Sequence, residues 1–507
     1  MTQTQRETSA AATETGPRRV RVAIVGSGFS GMGVAIKLRE AGIDDFVILE
    51  RGADFGGTWR DNTYPGAACD VPSLLYSFSF APNPDWSHAF SPQPEIFAYL
   101  RRCGQRYGLY RFARFDHEVR GAAWDETSRL WRIDTSQGQY EARVMISAVG
   151  PLSEPSLPDI PGIESFQGKL FHSARWDHEH DLTGDRVAVI GTGASSIQFV
   201  PQIVDKVGKL HLFQRTAPWI IGRSERRLSA VEHRTYQTFP LAQKAVRAGI
   251  YWSRELFVLG FAKNPKLMKV AERLSRRHLV KQVPDRALRK KLTPSYTMGC
   301  KRILLSNNYY PALSRPNVDV VTDRIVEIRP HSVVTADGTE REIDTLILGT
   351  GFHVTDMPMA QWITGRDGVL LADAWKDGVQ AYKGTSVNGF PNMFMMIGPN
   401  TGLGHNSMVY MIESQLNYVL DAIKYVSRPG VSDVDVNPAA ESQFNVDVQK
   451  MLEGTVWTTG GCVSWYLDDN GKNTTVWPTF TAVFRQQTRH FDSQAYEVRS
   501  TPALVDA

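Results

Sequence analysis

Two short glycine-rich segments, each preceded by a β-branched run and followed by a helical pattern, limit what this chain can fold into more than any other feature. Residues 20–25 read VRVAIV, a run that suits a buried parallel strand. It enters Gly26-Ser27-Gly28-Phe29-Ser30-Gly31, and a helical pattern continues to about Ala41 before a second strand at 46–50. A G-x-G-x-x-G set between a strand and a helix predicts a dinucleotide site. Gly26 permits the tight turn, Gly28 lets the backbone approach a pyrophosphate, and Gly31 allows close helix packing. The helix N-terminus adds N–H donors and the positive end of its dipole. Glu50 closes the second strand, where a carboxylate accepts bonds from ribose hydroxyls.

Residues 185–190 repeat the design and enter Gly191-Thr192-Gly193-Ala194-Ser195-Ser196, with a second strand at 210–214. The third small residue is here Ser196. No acid ends this strand; Arg215 and Thr216 do, and a cation there suits a 2′-phosphate that a carboxylate would repel. The acidic site is therefore expected to take FAD and the basic one NADPH. The fold class expected is α/β, with two Rossmann-like dinucleotide-binding domains and a helical insertion.

A length of 507 residues suits two to four domains. The expected order is a disordered leader over 1–19, rich in Thr, Gln, Glu and Ala, then a first FAD-domain part over 20–155 and a first NADP-domain part over 156–223. A helical insertion follows over 224–291, then the NADP domain's second part over 292–351. The FAD domain's second part and C-terminal loops take 352–507. Strands are expected at 318–321, 332–335, 345–348 and 394–397; beyond about Ser432 no element is placed. The insertion is broken by Pro240, Pro265 and Pro284, and its Lys and Arg outnumber Asp and Glu by roughly a dozen. It reads as a solvated helical subdomain, in preference to a basic wall facing NADPH phosphates or a membrane surface.

A net charge of +4 is too small to suggest a nucleic-acid protein, and no nucleic-acid partner is expected. No run of 18 apolar residues occurs, so neither a transmembrane helix nor a membrane partner is expected. Cys69, Cys103, Cys300 and Cys462 stand far apart with no C-x-x-C pair. That spacing argues against a metal site, a disulfide framework and a thiol redox centre, and favours a reducing cytoplasmic setting. The assembly expected is a monomer or a small homo-oligomer.

Residues 166–177 read FQGKLFHSARWD, with Phe166, Gly168, His172 and Trp176 in the pattern F-x-G-x-x-x-H-x-x-x-W-[PD]. This resembles the signature of type I Baeyer–Villiger monooxygenases, members of the class B flavoprotein monooxygenases. Related enzymes that oxygenate nitrogen or sulfur carry Phe or Tyr where this chain has Trp176. Further segments are similar to the same family: Gly56-Gly57-Thr58-Trp59 and the stretch from Tyr64 to Asp70 along the flavin, Cys300-Lys301-Arg302, DTLILGTGF at 344–352, and Trp465 in SWYL. The chain departs from the family at 467–472 (LDDNGK), where many members have a GAN-type segment, and at Ser173, where Thr is frequent.

The resemblance implies that NADPH reduces FAD and that O2 then gives a peroxyflavin, which attacks a ketone to yield an ester or lactone. It implies that Arg302 is the active-site arginine, stabilising the negative charge, with Asp70 holding it. Trp465 would reach the nicotinamide cofactor and Lys301 the 2′-phosphate. His172 and Trp176 are assigned to domain positioning. His405, in GLGHNS, falls at the flavin edge or serves as a capping or packing residue. An enzyme oxygenating nitrogen or sulfur is the alternative; Trp176 and the Asp70/Arg302 pair favour the ketone. A flavin disulfide reductase would need paired cysteines, and a nucleotide-binding sensor would not consume NADPH.

Overall fold

The computed structural model describes residues 16–468 and 470–500. Of the expected leader, residues 1–15 lie outside the described residues, and the first strand, Arg18–Val25, already begins within its last two positions.

Around that strand an eight-stranded sheet forms. Arg18–Val25 pairs in parallel with Phe46–Leu49 on one side and with Gly138–Ser147 on the other. Helix Phe29–Glu40 connects the first two strands, and its buried face packs on helix Met408–Val426 from the far end of the chain. An antiparallel meander, Val119–Asp125 with Leu130–Thr135 and Gly138–Ser147, extends the sheet. Met393–Met395 also joins the sheet, in parallel with Gly138–Ser147. This sheet is thus assembled from both ends of the sequence.

The second sheet has five strands, all parallel, in the order Val318–Val321, Lys209–Phe213, Arg186–Ile190, Thr345–Leu348, Lys169–His172. Its central strands are apolar and almost wholly buried, as parallel strands covered on both faces must be. The strand carrying His172 is an edge strand of this sheet, so the F-x-G-x-x-x-H-x-x-x-W segment is built into the second nucleotide fold.

Between residues 224 and 291 the chain forms helices Ala230–Thr238, Pro240–Glu255, Met268–Gln282 and Arg286–Lys291. Pro240 and Pro265 open helical segments, where a missing N–H is harmless. The C-terminal region, unplaced from sequence, contains helix Pro438–Leu452 and an antiparallel pair, Val431–Val436 with Tyr496–Ser500. No described helix is long and apolar enough to cross a membrane.

Candidate active site

Both glycine turns open into one cavity of about 1540 Å³. From the first fold Gly26, Gly28, Glu50, Gly57, Thr58 and Trp59 line it, and from the second Gly191, Gly193, Ser195, Arg215 and Thr216. Asp70, Lys301, Arg302 and Trp465 line it too. Gly31 and Ser196 lie behind their turns. A Cβ on Gly31 would strike the Gly26 carbonyl oxygen at 1.9 Å, while Ser196 is buried with its hydroxyl against Gly349.

The turns fit dinucleotides. Gly26 and Gly191 have φ of 100° and 107°, a region that favours glycine. A Cβ on Gly28 would meet only Gly57 Cα at 3.7 Å, and one on Gly193 would meet nothing within 4 Å, so both positions leave room for phosphate. The helices they open have no side-chain cap on their first N–H groups, which stay free to bind an anion. Glu50 is buried, accepting from the Ser27 amide at 3.0 Å and hydroxyl at 2.7 Å. Arg60 pairs with its other oxygen at 2.8 Å.

Arg302 donates to Asp70 Oδ2 from Nε at 3.0 Å and Nη2 at 2.6 Å, and to the Leu403 carbonyl from Nη1 at 2.9 Å. Burial is the strongest influence and opposes its charge, but the attractions of Asp70, first among its neighbours, and of Tyr466 and Cys69 together hold the guanidinium above its ordinary value. Lys301, next in the chain, is held below the usual lysine value by burial and by the nearby Arg215 cation. Two cations from different segments thus converge on the second nucleotide site.

The signature residues do not enter the cavity. Phe166 packs against the second fold's core, and Gly168 sits so close to the Asp344 carbonyl that a Cβ would lie 2.3 Å from its oxygen. Trp176 packs on Phe171 and Phe199. His172 is buried, accepts at Nδ1 from the Ala174 amide at 3.1 Å, and stacks edge-on against Phe352, a cavity-lining residue. Burial pulls its pKa down to about 4. His405 does not line the cavity either; it is buried beside Glu255, 3.3 Å from its carboxylate, in a packing role.

Three contributors escaped the sequence reading. Arg60 directly follows the GGTW segment and carries no motif of its own, yet it pairs with Glu50. Gln198, on the second fold's helix, accepts from Tyr64 at 3.0 Å and donates to the Ala68 carbonyl at 3.0 Å, clamping the Asp70 segment to that fold. Gly66 makes this approach possible, since a Cβ there would lie 2.8 Å from the Gln198 carbonyl oxygen. Tyr466, beside Trp465, is buried with its phenol pushed up to about 12, chiefly by burial.

The cysteine reading needs correction: Cys300 and Cys462 form a disulfide. They are 162 residues apart in sequence, and no spacing rule reaches across that distance; the fold alone brings the Arg302 and Trp465 segments together. Cys69 and Cys103 are free and buried.

The family described as pyridine nucleotide-disulphide oxidoreductase matches residues 23–247. A Baeyer–Villiger monooxygenase of Streptomyces coelicolor is 53% identical over 491 residues, covering 96% of this chain and 94% of the relative. One from Pseudomonas aeruginosa is 51% identical, covering 96% and 92%. Among solved structures, cyclohexanone monooxygenase from Rhodococcus sp. Phi1 bound to NADP+ superposes with a TM-score of 0.84 at 28% identity, covering 96% of this chain and all of that one. OTEMO in complex with FAD and NADP gives a TM-score of 0.85 at 28% identity, covering 95% of this chain and all of that one. With two nucleotide turns facing one cavity, the full F-x-G-x-x-x-H-x-x-x-W segment, and half the residues shared along almost the whole length of two bacterial relatives, the chain belongs to the Baeyer–Villiger monooxygenase family.

Proposed function

We propose that this chain binds FAD at the Gly26 turn and NADPH at the Gly191 turn, and uses them with O2 to convert a ketone into an ester or lactone. The balance is ketone, NADPH, H+ and O2 giving ester, NADP+ and water. One oxygen atom enters between the carbonyl carbon and a neighbouring carbon, and the other leaves as water. Structural relatives bound to NADP, and one bound to FAD and NADP together, support the cofactor pair.

Glu50, fixed by Ser27 and Arg60, would hold a flavin-side ribose, and the free N–H groups behind Gly28 its pyrophosphate. Arg215 and Lys301 would pair with the 2′-phosphate of NADPH. Bound and reduced by the nicotinamide, the flavin supplies the activation of O2; the chain supplies position and charge. Arg302 offsets negative charge that develops on the ketone oxygen as its carbonyl carbon is attacked, and needs no reorganisation because Asp70 and Leu403 already fix it. Trp465, half exposed on the cavity wall, would cover the nicotinamide side. A dependence on NADPH fits a cytoplasmic setting, while the Cys300–Cys462 bridge removes the cysteine argument for a reducing one.

The observation that carries this reading is the Arg302–Asp70 pair lining the cavity that both nucleotide turns share. The test is incubation of the FAD-loaded enzyme with NADPH, air and a panel of cyclic, linear and aromatic ketones and sulfides, with products identified by mass spectrometry. Esters or lactones heavier than the ketone by one oxygen support it. Sulfoxides alone would assign the chain to heteroatom oxygenation instead.

A further inference from the structure

Twelve of the 23 large apolar side chains that stand exposed among the described residues fall between residues 231 and 280, about a tenth of the chain. They are most concentrated where helix Pro240–Glu255 gives way to helix Met268–Gln282 through two short helical turns, which pack on each other. Gly260 lies so close to Met268 that a Cβ would sit 2.7 Å from its sulfur, which draws the two ends together. Around this contact Leu256, Phe257, Leu259, Leu267, Val270 and Leu274 are between 41% and 64% exposed. An exposed apolar cluster of this kind on a folded chain marks an interaction surface.

The exposed charges interleaved with these residues are of one sign. Lys263, Lys266, Lys269 and Arg273 are exposed, and none forms an ion pair among the described residues. The nearest acids are used inside the protein. Glu255 is buried and accepts from Asn406 at 2.7 Å and from the Thr481 amide at 2.8 Å. Glu272 accepts from the Met298 amide at 3.0 Å. No other Asp or Glu occurs between 255 and 285. An apolar tip ringed by unpaired cations is complementary to an anionic bilayer surface, where side chains enter the interface and lysines meet phosphate headgroups. A second copy of the chain fits it poorly, because each copy's four cations would face the other's with no acid between them.

We propose that the tip formed by residues 256–274 docks the enzyme peripherally on anionic phospholipid. Such docking favours the membrane-surface alternative over the solvated helical subdomain preferred from sequence, where the basic excess is visible but the exposure of the interleaved apolar residues is not. The tip is rooted beside the active site: Phe261 contacts the rings of His405 and Trp457, and Glu255 holds Asn406, which lines the cavity. Docking there suits an apolar ketone that partitions into lipid.

The test is flotation of the FAD-loaded enzyme with vesicles of equimolar phosphatidylglycerol and phosphatidylcholine, and with vesicles of phosphatidylcholine alone. Binding to the anionic vesicles is expected to be at least about thirtyfold tighter and to weaken with salt. Neutralising two cations, Lys266→Gln with Lys269→Gln, should weaken it roughly thirtyfold, at about 1 kcal/mol per lysine. Val270→Ser with Leu274→Ser should weaken binding to both vesicle types. Ketone-dependent NADPH oxidation in solution should be unchanged in both variants. Absence of flotation, or flotation that neither variant weakens, overturns the proposal. So does sedimentation at twice the chain mass that the apolar variant returns to single mass, since a second copy would then cover the tip.

Discussion

Arg302 places two nitrogens, Nε and Nη2, on the same oxygen of Asp70, while Leu403 holds its third from a segment on the other side of the sequence. The guanidinium is therefore oriented before any substrate arrives. Its charge is balanced by an acid that itself lines the cavity beside Gln198's clamp on the second fold.

Asp70→Asn tests that arrangement without emptying the position. The amide keeps the shape but loses the charge that holds the cation, so Arg302 should shift. A misplacement of about 1 Å at a reacting centre costs on the order of 100-fold. Ester formation should fall by about that factor while bound FAD is retained, as measured by product yield against flavin absorbance. Unchanged ester formation would mean that Leu403 alone positions the arginine.

Arg215→Ala should raise KM for NADPH by roughly 10- to 100-fold and leave KM for NADH nearly unchanged. A charge-assisted bond to phosphate contributes about 1.5–3 kcal/mol, and only NADPH carries the 2′-phosphate. Steady-state kinetics with both nucleotides decides it. Equal losses with the two would show that Arg215 does not read the phosphate, and would leave Lys301 to do so.

Reducing the Cys300–Cys462 bridge should loosen the segment of Trp465 relative to that of Arg302, because the bridge joins the two directly. Cys462 is partly exposed, so a dithiol can reach it. Reduced enzyme, and the Cys462→Ser variant without reductant, should divert more NADPH to hydrogen peroxide and less to ester at unchanged FAD content. Peroxide release measured with and without dithiothreitol checks this. A Cys462→Ser variant as well coupled as the oxidised enzyme would show that the bridge does not restrain the loop.

His172 gives the fold an acid-sensitive joint. Its folded pKa, about 4, lies below the ordinary 6.5, so the unfolded chain binds more protons between those values and stability falls as pH drops through that window. The full effect of such a shift is on the order of 3 kcal/mol. Melting temperatures from pH 7 to pH 4 should therefore decline more steeply for the natural chain than for His172→Gln. Parallel declines would place the acid sensitivity elsewhere.

Local pattern carried much of this structure. The strands at 318–321, 332–335 and 345–348 lie where β-branched runs place them, and both glycine turns stand between strand and helix as the motif requires. Arg302 and Asp70 were legible as a pair only through family resemblance, since 232 residues separate them. Much of what the sequence concealed depends on segments that meet only after folding, whereas Arg60, close in sequence to its partner Glu50, lacked a motif of its own. The Cys300–Cys462 bridge, Gln198 reaching back to Ala68, and the strand pair 431–436 with 496–500 all span such distances. His172 and Trp176 were recognisable by spacing, yet spacing does not say which way a side chain faces, and both turn into packing rather than the cavity.

In this enzyme Arg302 would serve oxygen insertion, and the two nucleotide folds cofactor binding and reduction. Arg302→Ala separates the two. Anaerobic rapid-mixing absorbance reports flavin reduction by NADPH, and product analysis in air reports ester. Removing one pre-set electrostatic partner costs on the order of 100- to 1000-fold in the step it serves. The variant should keep FAD, still be reduced by NADPH, and form ester at least about 100-fold more slowly, with oxygen returned as hydrogen peroxide. Ester formation near the natural rate would show that Arg302 does not serve oxygen insertion, and loss of FAD from the variant would make it a structural residue.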